Sequence, residues 1–550
     1  MVYLKGKGNI FVWSLFVLFI LGSCTDNFSD INTPDDEIVL DEVGAGELGQ
    51  AFAQAQHRGN MGESPDGNIG GFQLIHSLYT DIYAQYFATT AKNFDSDQYQ
   101  EIGSWVDGGW DHFYSEAAPQ LDFVTSFTAE NNMEVEHAVA NIYKVQFYQQ
   151  ITDLWGPIIY SEFGNGKTSV AYDTQEFIYN DFFEKLSEAR NTLLNTDRTS
   201  VFPENDLIFE GDVNKWLKFA NSLQLRAAMR IRYVDPQKAQ EKAEEAVNPA
   251  NGGVMTSNTD NATITTTENN KNTYSTITDW GEFRMSATME SIMVGYNDPR
   301  VSEYFNPIEE GAGGPYKGFR NGIPKGDKDQ AFLNSHFSDM NTKYFSQNRG
   351  GSNPDIRVMD AAEVYFLRAE GALLGWDMGG GSAQSYYEEG IRASLKDRTN
   401  ATSTEITAYI TSSDTPKKPD GVEGSAVYYG LPAVSTIPVA FMSGGSHEEK
   451  FEQIITQKWI SLYPNSFEAY AEFRRTGYPK QYERVNSLNT DVATNDIFRR
   501  LTFVTSEESN NGKAYKAAQE LLGGPPENNA TRVWWDAKPL SEYPDFVSPD

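Results

Sequence analysis

Apolar positions follow two regimes along this chain, and the switch between them divides it. From Glu134 the residues Val135, Ala138, Val139, Ile142, Tyr143 and Phe147 are apolar among polar neighbours. That three-and-four spacing lays one stripe along a helix. The stripe runs into Asp153-Leu154-Trp155-Gly156-Pro157, where glycine and proline end it. Ile178, Phe182, Leu186, Ala189 and Leu193 mark a second helix over 175–194, followed by helices over 214–235 and 236–247. The period returns over 360–376 and 384–396, with the run Gly379-Gly380-Gly381 as the turn between them. It returns again over 449–473, which Pro464 splits into two helices. Ser77 to Phe87 (SLYTDIYAQYF) has the same period nearer the N-terminus. Between these blocks the pattern dissolves over 249–283, where TSNTDNATITTTENNKN carries almost no apolar rhythm, and over 306–355. There Gly311 to Gly314, Gly318, Gly322, Gly326 and Gly350-Gly351 mark long loops. Loops beyond about 15 residues inside a compact protein are usually functional or mobile. Residues 401–447 are mixed, with a loop at Asp414 to Ser425, and the chain after the last helix reads as irregular surface.

Paired amphipathic helices on short turns predict helical hairpins of tetratricopeptide type, although no 34-residue consensus is legible. The first 24 residues have another character. Lys5 and Lys7 precede the twelve-residue run Ile10–Leu21, broken only by Ser14. Such a run is too short to cross a hydrocarbon core, which needs about 20 residues, and suits the apolar centre of a signal peptide. Gly22-Ser23 before Cys24 has the form of a bacterial lipobox, which would leave Cys24 acylated as the first mature residue. Two or more buried acyl chains anchor a protein where one does not. Cys24 is the sole cysteine of the chain, so stability cannot come from a disulfide within it. The reading gives a signal peptide over 1–23, an acidic tether over 24–40 and one domain over 41–550.

At 39% apolar residues the 550-residue chain is globular. A formal charge of −33 repels nucleic acid and anionic headgroups, so neither is an expected partner. The 10 Trp, 29 Tyr and 33 Phe exceed what a core of this size requires, leaving aromatic surface for binding. Catalytic patterns are missing from the sequence. The histidines at 57, 76, 112, 137, 336 and 447 form no zinc-binding pair at helical spacing, and no nucleophile elbow or phosphate-binding glycine loop is present. Asp95-Ser96-Asp97 has oxygen ligands at calcium-like spacing but lacks the glycine and terminal glutamate of an EF-hand loop. No metal and no cofactor is expected.

Eight segments, spread almost end to end, carry a resemblance. They are the lipobox with Asp30-Ile31-Asn32-Thr33, Trp110-Asp111-His112-Phe113-Tyr114, the run Asp153 to Glu162 (DLWGPIIYSE), and Lys215 to Leu223 (KWLKFANSL). Asn297-Asp298-Pro299-Arg300, Ala362 to Glu370 (AEVYFLRAE), Gln453 to Trp459 (QIITQKW) and Glu472 to Pro479 (EFRRTGYP) complete them. In this order they resemble the SusD/RagB family of nutrient-binding outer-membrane lipoproteins of Bacteroidetes. The resemblance implies a mainly α fold: tetratricopeptide-like hairpins packed against an irregular, loop-rich ligand-binding half. It assigns the helical scaffold to about 41–248 and 356–400, and the binding part to about 249–355 and 401–550. It also implies a cell-surface place on the outer membrane and a SusC-like TonB-dependent transporter as partner. A captured oligosaccharide or polysaccharide would be handed to that transporter without catalysis. The rivals are a surface-anchored glycan-degrading enzyme and a peptide-binding, RagB-like protein.

A sugar ring offers a flat C–H face to an aromatic plane and hydroxyls to amides, carboxylates and guanidinium groups. The search is therefore for aromatics in loops beside such groups. Trp280, in Thr278-Asp279-Trp280-Gly281-Glu282-Phe283-Arg284, is the leading candidate, with Phe283 beside it and Asp279, Glu282 and Arg284 as hydroxyl partners. Trp105 sits between glycines in Gly103-Ser104-Trp105-Val106-Asp107-Gly108-Gly109, and Tyr274 lies in the same polar stretch as Trp280. Tyr83 would face either the core or a cleft. Trp110, Trp216, Trp376 and Trp459 are assigned to packing, and Trp534-Trp535 to a staple on the surface of the body.

Overall fold

A computed structural model describes residues 44–308, 315–420, 430–524 and 527–549. The signal segment, Cys24, the tether and the run Gly311 to Gly314 lie outside the described residues, as does the loop beyond Asp420 up to residue 429. The chain divides into two units, 1–48 and 49–550, and the second holds everything below.

The organising helices are α1 (Gly103–Asp111), α2 (Glu134–Trp155), α3 (Gln175–Leu194), α4 (Val213–Arg230) and α5 (Pro236–Val247). They continue with α6 (Tyr274–Trp280), α7 (Ala361–Leu373), α8 (Ala383–Arg398), α9 (His447–Leu462) and α10 (Ser466–Thr476). Most of these fall where the apolar period put them, because their ends are also written locally. Thr174 accepts from the N–H of Phe177 to open α3. Asp212 caps α4, Asp235 caps α5 with Pro236 in its first turn, and the box Ser446/Glu449 opens α9. Gly156 ends α2 at φ +83°, a conformation that only glycine adopts without strain. The predicted stripe of α3 is entirely buried.

Consecutive helices pack as neighbours, α2 on α3, α3 on α4 and α4 on α5, and then α7 lies on α4, α8 and α9. This stack is mainly α and tetratricopeptide-like, as predicted. What locks it together is ionic as well as apolar. Arg226 and Arg230 of α4 reach Glu363 of α7 and Glu468 and Glu472 of α10 at 2.6, 2.5 and 2.6 Å. Lys458 of α9 lies 3.1 Å from Glu472, and Arg475 grips Glu370 of α7 and Glu472 at 2.6 Å each. All these side chains are nearly or wholly buried. Interior ions are tolerated only when each finds a partner, since desolvation costs several kcal/mol per charge. Three of the eight segments that carry the resemblance, those with Glu363, Lys458 and Glu472, are therefore members of one network.

The other half is built from short pieces. Strand β1 (Phe87–Thr89) pairs antiparallel with β3 (Phe283–Met285), and β2 (Ala262–Ile264) with β4 (Ile356–Met359). Several expectations change here. Helices occupy Ser403–Ile410 in a stretch read as mixed and Thr505–Asn510 and Gly512–Glu520 in one read as irregular, and Gln330–His336 is helical within the glycine-marked loops. These helices run 6 to 9 residues, too few turns for a period to show. Trp535 is not on the surface. Its indole is fully buried, donates to Asp153 Oδ1 at 2.7 Å and lies under Arg230 and Arg474. Trp376 lies just past the end of α7 and is half-buried, whereas Trp110, Trp216 and Trp459 are core.

Candidate functional site

Trp280 is the last residue of α6 and, with 45% of its surface exposed, the most open tryptophan among the described residues. Its backbone is held from both sides. Asn272 accepts from the N–H of Tyr274 at the start of α6, and the Thr273 hydroxyl donates to Met61 O at 2.7 Å. At the other end Gly281 turns left-handed at φ +66°. Its carbonyl accepts from Thr90 Oγ1 at 3.1 Å and Asn334 Nδ2 at 2.8 Å. The chain then enters β3, registered Thr89↔Phe283, Ala88↔Arg284 and Phe87↔Met285 against β1. An exposed apolar ring on so fixed a backbone loses little further freedom when a ligand stacks on it.

From this point an aromatic row leads to the second tryptophan. Phe283 stacks on Phe94 with centroids 6.0 Å apart and planes at 18°. Trp105 meets Phe94 edge-on at 5.9 Å and Tyr79 at 6.5 Å. Polar groups accompany the row: Gln73 Nε2 donates to Glu282 Oε2 at 2.8 Å. Burial raises the Glu282 carboxyl above its usual range, with the Gln73 bond opposing the shift. Trp105, Phe94, Gln73 and Glu282 are all partly exposed. With Trp280 two residues before Glu282 and three before Phe283 in the chain, they make up the candidate shelf of ring faces and amide and carboxyl edges.

The shelf contains Trp280, Trp105 and Phe283, but not as the sequence pictured them. Trp105 is on α1, not in a loop: its flanking glycines are helical because Gly108 and Gly109 let Leu74 and Ile75 approach closely. Phe283 is buried and supports Phe94 from beneath. Asp279 faces inward, its side chain 5% exposed. It accepts from Ser346 Oγ and from the N–H groups of Gln347 and Asn348 at 2.5, 2.8 and 2.8 Å. Arg284 is buried too, donating to Phe283 O at 2.7 Å and paired with Asp339 at 3.3 Å. Both are thus anchors for neighbouring loops, not free hydroxyl partners. Tyr83 belongs to the core, with Tyr99, Tyr470 and Phe498 around it and its hydroxyl donating to Ser96 O at 3.2 Å. Tyr274 opens α6, six residues before Trp280. Its hydroxyl is tied to Asp81 Oδ1 and Pro464 O at 2.8 Å each, and its ring lines a chamber of about 580 Å³.

Gln73 and Phe94 were missed. Phe94 carried the signal used elsewhere, an aromatic between Asn93 and Asp95 in a polar stretch. Gln73 carried none, because its meaning comes from Glu282, 209 residues away. Among the described residues no cluster of three or more His, Cys, Asp or Glu side chains is placed to hold a metal. In Asp95-Ser96-Asp97 the buried Asp97 accepts from Asn321 Nδ2 at 2.8 Å.

The SusD-like family model, described as SusD and RagB outer membrane lipoprotein, matches residues 30–536. The chain belongs to this family. Solved structures agree. A chitin-binding SusD homologue from Flavobacterium johnsoniae is 34% identical with a TM-score of 0.79, the match covering 90% of this chain and 99% of that one. A SusD homologue from Bacteroides uniformis is 33% identical with a TM-score of 0.78, covering 89% and 99%. One from Bacteroides thetaiotaomicron is 30% identical with a TM-score of 0.77, covering 90% and 99%. No functionally curated protein matches the chain. Among the described residues no helix is long and apolar enough to cross a membrane.

Proposed function

We propose that this SusD-like protein is a non-catalytic receptor anchored at the cell surface through acylated Cys24. It captures an oligosaccharide or polysaccharide and passes it to a SusC-like TonB-dependent transporter. The observation that carries the reading is Trp280: an exposed indole on a backbone pinned at Gly281, three residues along the chain from Phe283, which stacks on Phe94 beside Trp105. Flat rings recover roughly 25 cal/mol per Å² of apolar area covered, and the Gln73–Glu282 edge supplies partners for ring hydroxyls. The Flavobacterium relative, named as chitin-binding, makes chitin oligosaccharides the first ligands to try.

The test is retardation in native gels cast with soluble polysaccharides. Wild type should be retarded by its ligand and release no new reducing ends from it. Trp280→Ala should abolish or strongly weaken the retardation while shifting stability by less than about 1 kcal/mol, as for an exposed site. Unaltered retardation would remove Trp280 from the site. Turnover that vanishes with one carboxylate substitution would favour the degrading-enzyme reading instead.

A further inference from the structure

Three arginines of the interior hold their anions in one way. Arg226 donates from Nε and Nη2 to Glu363 at 2.8 and 2.6 Å, and Arg475 does the same to Glu472 at 2.9 and 2.6 Å. Arg300 grips Asp298 likewise, at 2.9 and 2.6 Å. This side-on fork matches the geometry of an anion, and it is what distinguishes arginine from lysine as an interior cation. Arg474 of α10 breaks the pattern. It is fully buried. Its Nη1 donates to Asp153 O at 2.6 Å and Arg499 O at 2.8 Å, but neither Nε nor Nη2 meets a hydrogen-bond partner. Among the described residues it forms no ion pair: Asp153, whose carbonyl it holds, pairs with Arg230 at 3.3 Å, and Asp536 pairs with Arg499 at 3.0 Å. The rings of Tyr470 and Trp535 lie 4.3 and 5.0 Å from its Cζ, a contact that eases the charge but supplies no lone pair. Burial pulls the guanidinium below the usual arginine value.

Arg474 lines a hollow of about 20 Å³ with Gln149, Gln146 and Gln150 of α2. Gln149 is buried, and its Nε2 also lacks a hydrogen-bond partner. Buried donors normally find acceptors, and here they gather beside one small space. The acids of the lining are already engaged. Asp153 Oδ1 accepts from Tyr179 and Trp535 at 2.6 and 2.7 Å, and Glu468 accepts from Arg230 at 2.5 Å and Lys458 at 3.3 Å. Arg226, the other cation of the lining, belongs to Glu363. The hollow thus has unmatched donors and one unmatched positive charge. A volume of about 10–15 Å³ holds one water-sized particle, so this space takes a monatomic ion and excludes a carboxylate or phosphate. Gln146 and Gln150 also line the larger chamber, whose lining reaches the exposed Glu210 and Asp355. That gives an ion a route from solvent.

We propose that this hollow is a binding site for a single halide ion, chloride in ordinary surroundings, held by the Nε–Nη2 fork of Arg474 and the amide of Gln149 between α10 and α2. A water molecule would meet the same donors but leave the guanidinium uncompensated, and an interior charge without a counter-ion is costly. That difference favours the anion. The site is structural, and it stands whether or not the shelf binds glycan.

The first test is a crystal of the full mature chain grown in sodium bromide. An anomalous bromide peak in contact with Arg474 Nε and Nη2 is expected. Density there without an anomalous signal would be water and would overturn the proposal. The second test is in solution, where an ion that binds only the folded chain stabilises it logarithmically. With gluconate replacing chloride at constant ionic strength, Tm should rise by about 1 °C for each tenfold increase in chloride above its Kd. Arg474→Met should abolish that rise. Gln149→Met, which keeps the fork, should need at least tenfold more chloride for the same gain. A rise absent from wild type, or equal in wild type and both variants, would sink the site. Should Arg474→Met fail to fold, the bromide map and Gln149→Met decide.

Discussion

Glu472 faces three cations at once: Arg230, Lys458 and Arg475 lie within 2.6 to 3.1 Å of its carboxylate. Burial alone would favour its neutral form, but the three charges outweigh it and hold the carboxyl well below 4.5. Replacing it by glutamine leaves these cations short of an anion in the interior. Glu472→Gln should cost about 3–5 kcal/mol, read as a lowered urea midpoint at constant slope. The pH dependence follows from the same reasoning. A carboxyl depressed in the folded state contributes stability that is complete above its unfolded value and is lost as pH falls through its folded value. Glu290 and Asp81 behave oppositely. Burial raises them to about 8 and about 7, against hydrogen bonds from Gly318 and Asp420 to the first and from Ser466 and Tyr274 to the second. The folded chain then keeps protons that the unfolded chain releases above about pH 4, so stability declines from there up to about pH 8. Unfolding midpoints measured from pH 4 to 8 should fall in wild type, and Glu290→Gln should flatten the decline.

At the scale of elements, α6 and its exit turn decide whether the shelf is presented. Gly281 sits at φ +66°, and a Cβ there would lie 3.3 Å from Asn334 Nδ2, the group that fixes its carbonyl. Gly281→Ala should destabilise by about 1–2 kcal/mol and, unlike Trp280→Ala, weaken glycan retardation without touching a ring. Equal retardation by Gly281→Ala and wild type would show that the turn does not position Trp280. The helices of the scaffold are different in kind. Their stripes, caps and breakers are local, so 175–194 and 236–247 were legible residue by residue. The short helices were not: α1 contains glycines at 103, 108 and 109, and glycine argues against a helix until Leu74 and Ile75 are seen to pack where its Cβ atoms would be.

For the whole molecule, the formal charge of −33 sets what the surface meets. Stacking of neutral sugar rings carries no Coulomb component, so retardation by a neutral glycan should be the same at low ionic strength and at about 0.5 M salt. An anionic polysaccharide should be excluded at low salt, where charge repulsion is unscreened out to about 10 Å and beyond. Loss of neutral-glycan binding on adding salt would mean that ion pairs, not rings, hold the ligand. The interior is organised by the opposite rule, since Arg226, Arg230, Lys458 and Arg475 each find a carboxylate. That balance joins α4, α7 and the adjacent pair α9 and α10, three places far apart in sequence.

The amino-acid sequence by itself determined the family, the helical class and the long helices with their ends. Each of these is encoded within a few neighbouring residues, or, for the family, in the order of short segments. Tertiary structure alone decided which polar side chains are free. Asp279 and Arg284 look available beside Trp280 until Ser346 and Asp339 arrive from 67 and 55 residues away. Gln73 looks like nothing until Glu282 meets it. Burial and hydrogen-bond partnership are properties of pairs, and a pair distant in sequence leaves no periodic mark on either member.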